Sequence, residues 1–184
     1  VSDTALLVID MLSTYDHEDA ERLRRSAEDA VPRIAELVER ARDEDLDVIY
    51  VNDNHGLWSA GRAELLERAL SGPFAHLVEP IAPSEDLPFV VKARHSVFYQ
   101  TPLEYLLRQN EVTKLVLSGQ VTEQCILYSA LDAYIRHFEV VVPRDAVAHI
   151  HHDLADAALR MMELNMRAEV VDAADCLRPT ARPR

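Results

Sequence analysis

The sequence predicts an α/β protein: a three-layer α/β/α, doubly wound domain built on a mostly parallel six-stranded sheet. Three observations carry this expectation. Short apolar runs, of the kind that form strands buried on both faces, alternate along the chain with longer stretches of helical periodicity. The chain has 184 residues, which suits one domain over 1–184, and 48% of them are hydrophobic, enough for a substantial core. No internal repeat or low-complexity tract interrupts the alternation.

The elements follow in order. Ala5 to Ile9 is a continuous apolar run and reads as the first strand, ending at Asp10. A charged stretch from about Glu18 to Glu44 places Ile34, Leu37, Val38 and Ala41 on one helical stripe. Pro32 is expected to kink that helix or to start its second part. Val48 to Val51 is the second strand, followed by a loop to Gly61 and a short helix around Arg62 to Leu70. Phe89 to Val91 is the third strand and delivers Lys92. Thr101-Pro102-Leu103-Glu104 has the form of a capping box with proline at the first helical position. Leu115 to Leu117 is the fourth strand, and Thr122 is expected to cap a helix running to about His137. Glu139 to Val142 is the fifth strand, ended by Pro143. Asp153 is expected to cap a helix through Asn165 that buries Leu154, Ala157, Ala158 and Met161. Glu169 to Val171 is the sixth strand, and the tail 178–184 is expected to fray.

In a doubly wound sheet, sites form beyond the carboxyl ends of the strands. Asp10 ends strand one, Lys92 ends strand three, and Cys125 lies just after strand four, so three chemically distinct residues project from one edge. Cys125 is the candidate nucleophile. In the first turn of a helix it would feel the positive dipole end and unpaired N–H groups, which favour thiolate. Asp10 can take the thiol proton and return it to a leaving amine. Lys92 can hold the carboxylate, and the turn from Gly119 to Cys125 can supply N–H donors to an oxyanion.

Taken together, Ala5-Leu6-Leu7-Val8-Ile9-Asp10-Met11, then Val91-Lys92 with Ser96 and Phe98, then Ser118 to Cys125, resemble the isochorismatase-like cysteine hydrolases, whose members include nicotinamidase and N-carbamoylsarcosine amidase. The resemblance runs from Ala5 to about Val171 and implies an isochorismatase-like, Rossmann-like fold. It also implies that Asp10 is the general base and acid, Lys92 the electrostatic partner and Cys125 the nucleophile. The backbone N–H groups of Val121 and Cys125 would form the oxyanion hole, with a cis peptide at Gln120–Val121. Family members commonly form dimers or tetramers, so a homodimer or homotetramer is expected. Where the family often has Gln-Asn-Asp-Phe after the first aspartate motif, this chain has Leu12-Ser13-Thr14-Tyr15, so no particular substrate carries over.

Around that triad, Tyr15, Trp58 and Phe98 are candidate walls of a pocket for a small planar amide, with Tyr99 beside them. Asp53 and His55 have the Asp-x-His spacing of a nicotinamidase zinc site, but the companion histidine motif is missing and His76 is the only nearby candidate. The pair is therefore read as a loop carboxylate and a pocket histidine, with no cofactor expected. His95 is read as a solvated loop histidine, His149, His151 and His152 as loop residues, and Cys176 as structural.

A net charge of −13 argues against binding nucleic acid or an anionic membrane. Two cysteines without CxxC spacing suit a reducing compartment. No apolar run approaches the roughly 18 residues of a membrane span, and the N-terminal segment has no basic n-region, so a cytoplasmic location is expected. Neither GxGxxG nor a P-loop is present, and four glycines leave little material for one. The sequence thus points to a cysteine-dependent hydrolase of a small amide, ureide or carbamoyl C–N substrate. The alternatives are a vinyl ether hydrolase of the isochorismatase type and a catalytically silent binding protein of the same fold.

Overall fold

The computed structural model describes residues 3–177; the tail expected to fray lies outside the described residues. Seven strands form one sheet. They are β1 (Thr4–Ile9), β2 (Asp47–Asp53), β3 (Phe89–Lys92), β4 (Lys114–Gln120), β5 (Glu139–Pro143), β6 (Val147–Ala148) and β7 (Glu169–Val171). The order is β3-β2-β1-β4-β5-β7, and every pairing is parallel. The order reverses between β1 and β4, which is where such sheets open a crevice at their carboxyl ends.

The sheet has one strand more than the six expected. β5 pairs with β4 only along Lys114–Val116, and the two-residue β6 pairs with Gly119 and Gln120. A pair of residues is too short to produce a period-2 signal in sequence, so this strand is visible only in the pairing.

Helices α1 (Ala20–Asp43), α2 (Arg62–Leu70), α3 (Leu103–Gln109), α4 (Leu127–Ile135) and α5 (His152–Met166) complete the layers. The alternation of β1 assigns the two faces. Leu6 and Val8 pack with Leu23, Ile34 and Leu37 of α1 on one side. Ala5, Leu7 and Ile9 pack with Leu103, Leu107, Ile126 and Met162 on the other. Each such fully buried leucine contributes about 2 kcal/mol relative to exposure. α2 covers a smaller cluster of Leu12, Leu65, Ala69 and Val78 beside the crevice.

Four local expectations are corrected. Pro32 does not start a second part of the first helix; it lies exposed within a continuous α1. Thr101 does not form a capping box with Glu104: its hydroxyl donates to the Val97 carbonyl, and Glu104 instead pairs with Arg136 at 2.8 Å. Asp153 does not cap α5, whose first residue is His152; the Glu123 carboxylate accepts the N–H groups of Ile150 and His151 just ahead of it. The face of α5 also differs. Ala155, Ala158, Met162 and Met166 are buried, whereas Leu154, Ala157 and Met161 point to solvent. The helix carries apolar residues on two faces, and the small alanines allow the closer approach to α4, so packing selects the stripe that periodicity left degenerate.

Candidate active site

Asp10, Lys92 and Cys125 meet in one cluster at the carboxyl end of the sheet. The Lys92 ammonium lies 2.8 Å from Asp10 Oδ2 and 3.6 Å from Cys125 Sγ. All three are buried, at 8%, 2% and 7% exposure respectively, which matters because charges removed from water interact far more strongly than exposed ones.

Each side chain is placed by its strand. Asp10 follows β1 in a left-handed conformation (φ 57°). Its backbone carbonyl accepts the Gln120 side-chain amide at 2.7 Å, and its Oδ1 accepts the Asp53 N–H at 2.7 Å. Gln120 in turn accepts the Tyr15 hydroxyl at 3.2 Å. Lys92 ends β3, in register with Asp53 of β2, and its ammonium also lies 3.7 Å from Asp53 Oδ2. Gly119 lets β4 approach β1: a Cβ there would stand 2.1 Å from the Ile9 carbonyl oxygen, and its φ of +109° is open to glycine alone. The Gln120–Val121 peptide is cis, as the resemblance implies.

Cys125 does not sit in the first turn of an α-helix. Thr122–Ile126 is a turn of π-helix that precedes α4, a form often found at functional sites. Two side chains hold it. Thr122 Oγ1 donates to the Ala148 carbonyl at 3.0 Å, and Glu123 grips the segment before α5. The expected thiolate bias is reversed in the resting site. Burial, reinforced by the Asp10 carboxylate, pushes the Cys125 thiol up to about 12, against the opposing pull of Lys92 and the Val121 N–H. Lys92 is raised despite the desolvation that works against it, because Asp10, the Cys125 sulfur and Asp53 favour its charged form. The resting cluster is therefore a thiol beside a carboxylate–ammonium pair, and a base must remove the proton before the sulfur can attack.

A cleft of about 700 Å³ opens beside the cluster, lined by Asp53, Trp58, Arg94, His95 and Tyr99 among others. Two of its lining residues also touch the cluster: Asp53 lies 3.7 Å from Lys92 and His95 3.6 Å from the Cys125 sulfur. A smaller cavity of about 380 Å³ at the opposite edge of the sheet is lined by Lys114, Glu139 and Glu169, the first residues of their strands.

The three candidate wall residues separate. Trp58 lines the cleft, highly exposed at 84%. Tyr15 is buried, its ring edge-on to Phe74 and its hydroxyl on Gln120, so it supports the site from behind rather than facing a ligand. Phe98 belongs to the core, stacked on Phe138 at 5.9 Å with the Arg136 guanidinium over its ring, because the backbone after Ser96 turns inward onto α4.

Nor do Asp53 and His55 converge as ligands. His55 Nε2 lies 2.9 Å from the Leu12 carbonyl, which only accepts, so that nitrogen carries its hydrogen toward Leu12. Asp53 Oδ1 accepts the His55 N–H, and its Oδ2 faces Lys92. His76 packs against Phe74. Among the described residues no group of three or more His, Cys, Asp or Glu side chains is placed to hold a metal ion, and the residues present do not fit a catalytic zinc site.

Sequence reasoning missed three participants. Asn52, 2% exposed, accepts the Leu12 N–H and donates to the Leu12 carbonyl, tying down the loop after Asp10. Gln120 braces Asp10 as described. His95 is an exposed loop histidine, as expected, but its Nδ1 also reaches Sγ at 3.6 Å. Asn52 and Gln120 had a signal: each is a polar residue at the end of an otherwise apolar strand, where burial demands a partner.

The isochorismatase domain family model matches residues 4–175. The chain belongs to the isochorismatase family. The isochorismatase family protein YaaI of Bacillus subtilis is 33% identical over 169 residues, covering 92% of this chain and 93% of that one. The maleamate amidohydrolase of Pseudomonas putida is 30% identical over 163 residues, covering 84% and 76%. The crystal structure of an isochorismatase family protein from Desulfovibrio vulgaris superposes with a TM-score of 0.75 at 28% identity, covering 95% and 96%. In this isochorismatase-family chain, a thiol, a carboxylate and an ammonium stand together, the components that a cysteine-dependent hydrolysis can use.

Proposed function

We propose that this protein hydrolyses a small amide, ureide or carbamoyl amine through a thioester on Cys125. The observation that carries this reading is the meeting of Asp10, Lys92 and Cys125 at 2.8 and 3.6 Å in a buried cluster. Its similarity to a maleamate amidohydrolase supports it. Asp10 takes the thiol proton, and the thiolate attacks the carbonyl carbon. The oxyanion is held by the N–H groups of Val121 and Cys125. As the C–N bond breaks, Asp10 returns the proton to the leaving amine. Asp10 then deprotonates water, which attacks the thioester and releases the acid and the thiol. Lys92 holds Asp10 throughout and stabilises the thiolate.

The whole of 1–184 is read as one domain, which the family match over 4–175 supports. Among the described residues no helix is long and apolar enough to cross a membrane; a cytoplasmic location remains part of the proposal. So does self-association as a dimer or tetramer. In its support, α4 exposes Leu131 and Ile135 and α5 exposes Leu154, Met161 and Leu164. Light scattering showing only a 20.8 kDa species would refute it.

The test of the activity is a panel of small amides, ureides and carbamoyl amines assayed for ammonia release. Turnover that survives intact in Cys125→Ala would falsify the nucleophile assignment, and pyruvate released from isochorismate would replace amide hydrolysis with vinyl ether cleavage.

A further inference from the structure

His95, in the loop after β3, reaches the Cys125 sulfur that Lys92 also contacts. Its Nδ1 lies 3.6 Å from Cys125 Sγ, the same separation as the Lys92 ammonium. His95 is exposed and lines the cleft, whereas Lys92 and Asp10 are buried.

Its position is built rather than incidental. One residue on, Ser96 Oγ donates to Asp132 Oδ2 at 2.5 Å, and two residues on, the Val97 N–H donates to Ser129 Oγ at 3.1 Å. Both partners belong to α4, the helix that follows the nucleophile turn. α4 also supplies Tyr128, whose ring lies 5.5 Å from the imidazole. The backbone carrying His95 and the turn carrying Cys125 are thus fastened to the same helix.

We infer that His95 is a further catalytic residue, donating Nδ1–H to the Cys125 sulfur and sharing its negative charge with Lys92. When the S–H bond breaks, the proton passes to Asp10, and the electron pair left on sulfur meets both an ammonium and an imidazole N–H. The need for a second donor follows from the setting. Burial and the Asp10 carboxylate hold the thiol in its neutral form, and Lys92 is shared among Asp10, Asp53 and the sulfur. The groups facing His95 are the Cys125 sulfur with Lys92 and Asp10 behind it, Tyr128 from α4, and Arg94 and Asp53 along the cleft. This inference goes beyond the proposed amide hydrolysis, although it concerns the same site.

The experiment is the rate of Cys125 alkylation by iodoacetamide, located by peptide mapping and followed against pH in the full chain. His95→Phe keeps a ring against Tyr128 but removes the donor; His95→Asn keeps an N–H near the Nδ1 position. His95→Phe is expected to slow alkylation at neutral pH about tenfold, with the curve displaced to higher pH by one unit of thiol pKa. His95→Asn is expected to restore most of the rate, and kcat to follow the same order with KM little changed. A His95→Phe profile that overlays the unsubstituted protein, or His95→Asn no faster than His95→Phe, would overturn the inference. Alkylation needs no substrate. A shifted profile in a protein that hydrolyses no amide would uphold His95 and sink the amidase reading.

Discussion

The two cysteines make an instructive pair. Both are free and buried, at 7% exposure for Cys125 and 2% for Cys176. Burial raises both thiols, to about 12 and about 11 respectively. By packing and acidity alone they are hard to tell apart. What separates them is the company each keeps. Cys176 donates its S–H to the Ala173 carbonyl at 3.2 Å within a turn packed on α1. Cys125 has a carboxylate, an ammonium and an imidazole around its sulfur and a cleft beside it. Reactivity here is a property of neighbours able to accept a proton and stabilise the resulting anion, not of the thiol's resting state.

The sharpest way to break this contrast is to remove each thiol in turn. Cys125→Ala is expected to lower amide turnover by about 10⁴-fold or more, on the scale seen when a nucleophile acting as part of a unit is deleted. Cys176→Ala is expected to leave turnover unchanged while costing about 1 kcal/mol of stability through the small cavity. Ammonia release and chemical denaturation read the two effects, and equal losses of activity would erase the distinction.

Next in size, Asp10→Asn separates proton transfer from thiol acidity. Turnover is expected to fall about 10²- to 10⁴-fold, the range for loss of a general base. Alkylation of Cys125 is expected to speed up, because the carboxylate raises the thiol. Parallel losses in both assays would mean that Asp10 serves only the architecture of the site.

Lys92→Met is expected to destabilise the fold by about 3 kcal/mol, since it leaves Asp10 buried without its partner. It is also expected to slow alkylation, because Lys92 opposes the upward shift of the thiol. A denaturation midpoint matching the unsubstituted protein would contradict the buried pair.

The smallest effect is a slope. Between the ordinary thiol value of 9.0 and a folded value of about 12, the unfolded chain releases the Cys125 proton while the folded chain retains it. Stability from this group is therefore present below about pH 9 and lost as pH rises toward 12. Cys125→Ala is expected to flatten that alkaline decline in urea denaturation series, and Cys176→Ala to do so over a slightly narrower span.

Much of this was readable along the chain, though unevenly. The runs at Ala5–Ile9 and Leu115–Leu117 predicted buried parallel strands because a strand covered on both faces must be apolar throughout. Their termini located Asp10 and Cys125 at one edge. The stripe of α5 was misplaced by one residue because two apolar faces compete on that helix, and only the approach of α4 chooses between them. Phe98 was taken for a pocket wall because an aromatic residue near Lys92 fits core and pocket equally well in sequence; the inward turn onto Phe138 decides it.

Sequence by itself determined the layered α/β architecture, the edge at which the chemistry collects, and the identity of the carboxylate, ammonium and thiol. These follow from local periodicity and from strand termini, which need no knowledge of distant contacts. Tertiary structure alone decided that Gln120 braces Asp10, that His55 turns to the Leu12 carbonyl rather than outward, and that His95 reaches the sulfur. Each of these contacts joins segments far apart in sequence. Burial raises both the worth of a polar contact and the cost of leaving it unmade, and which groups share a buried site is settled only when the sheet closes.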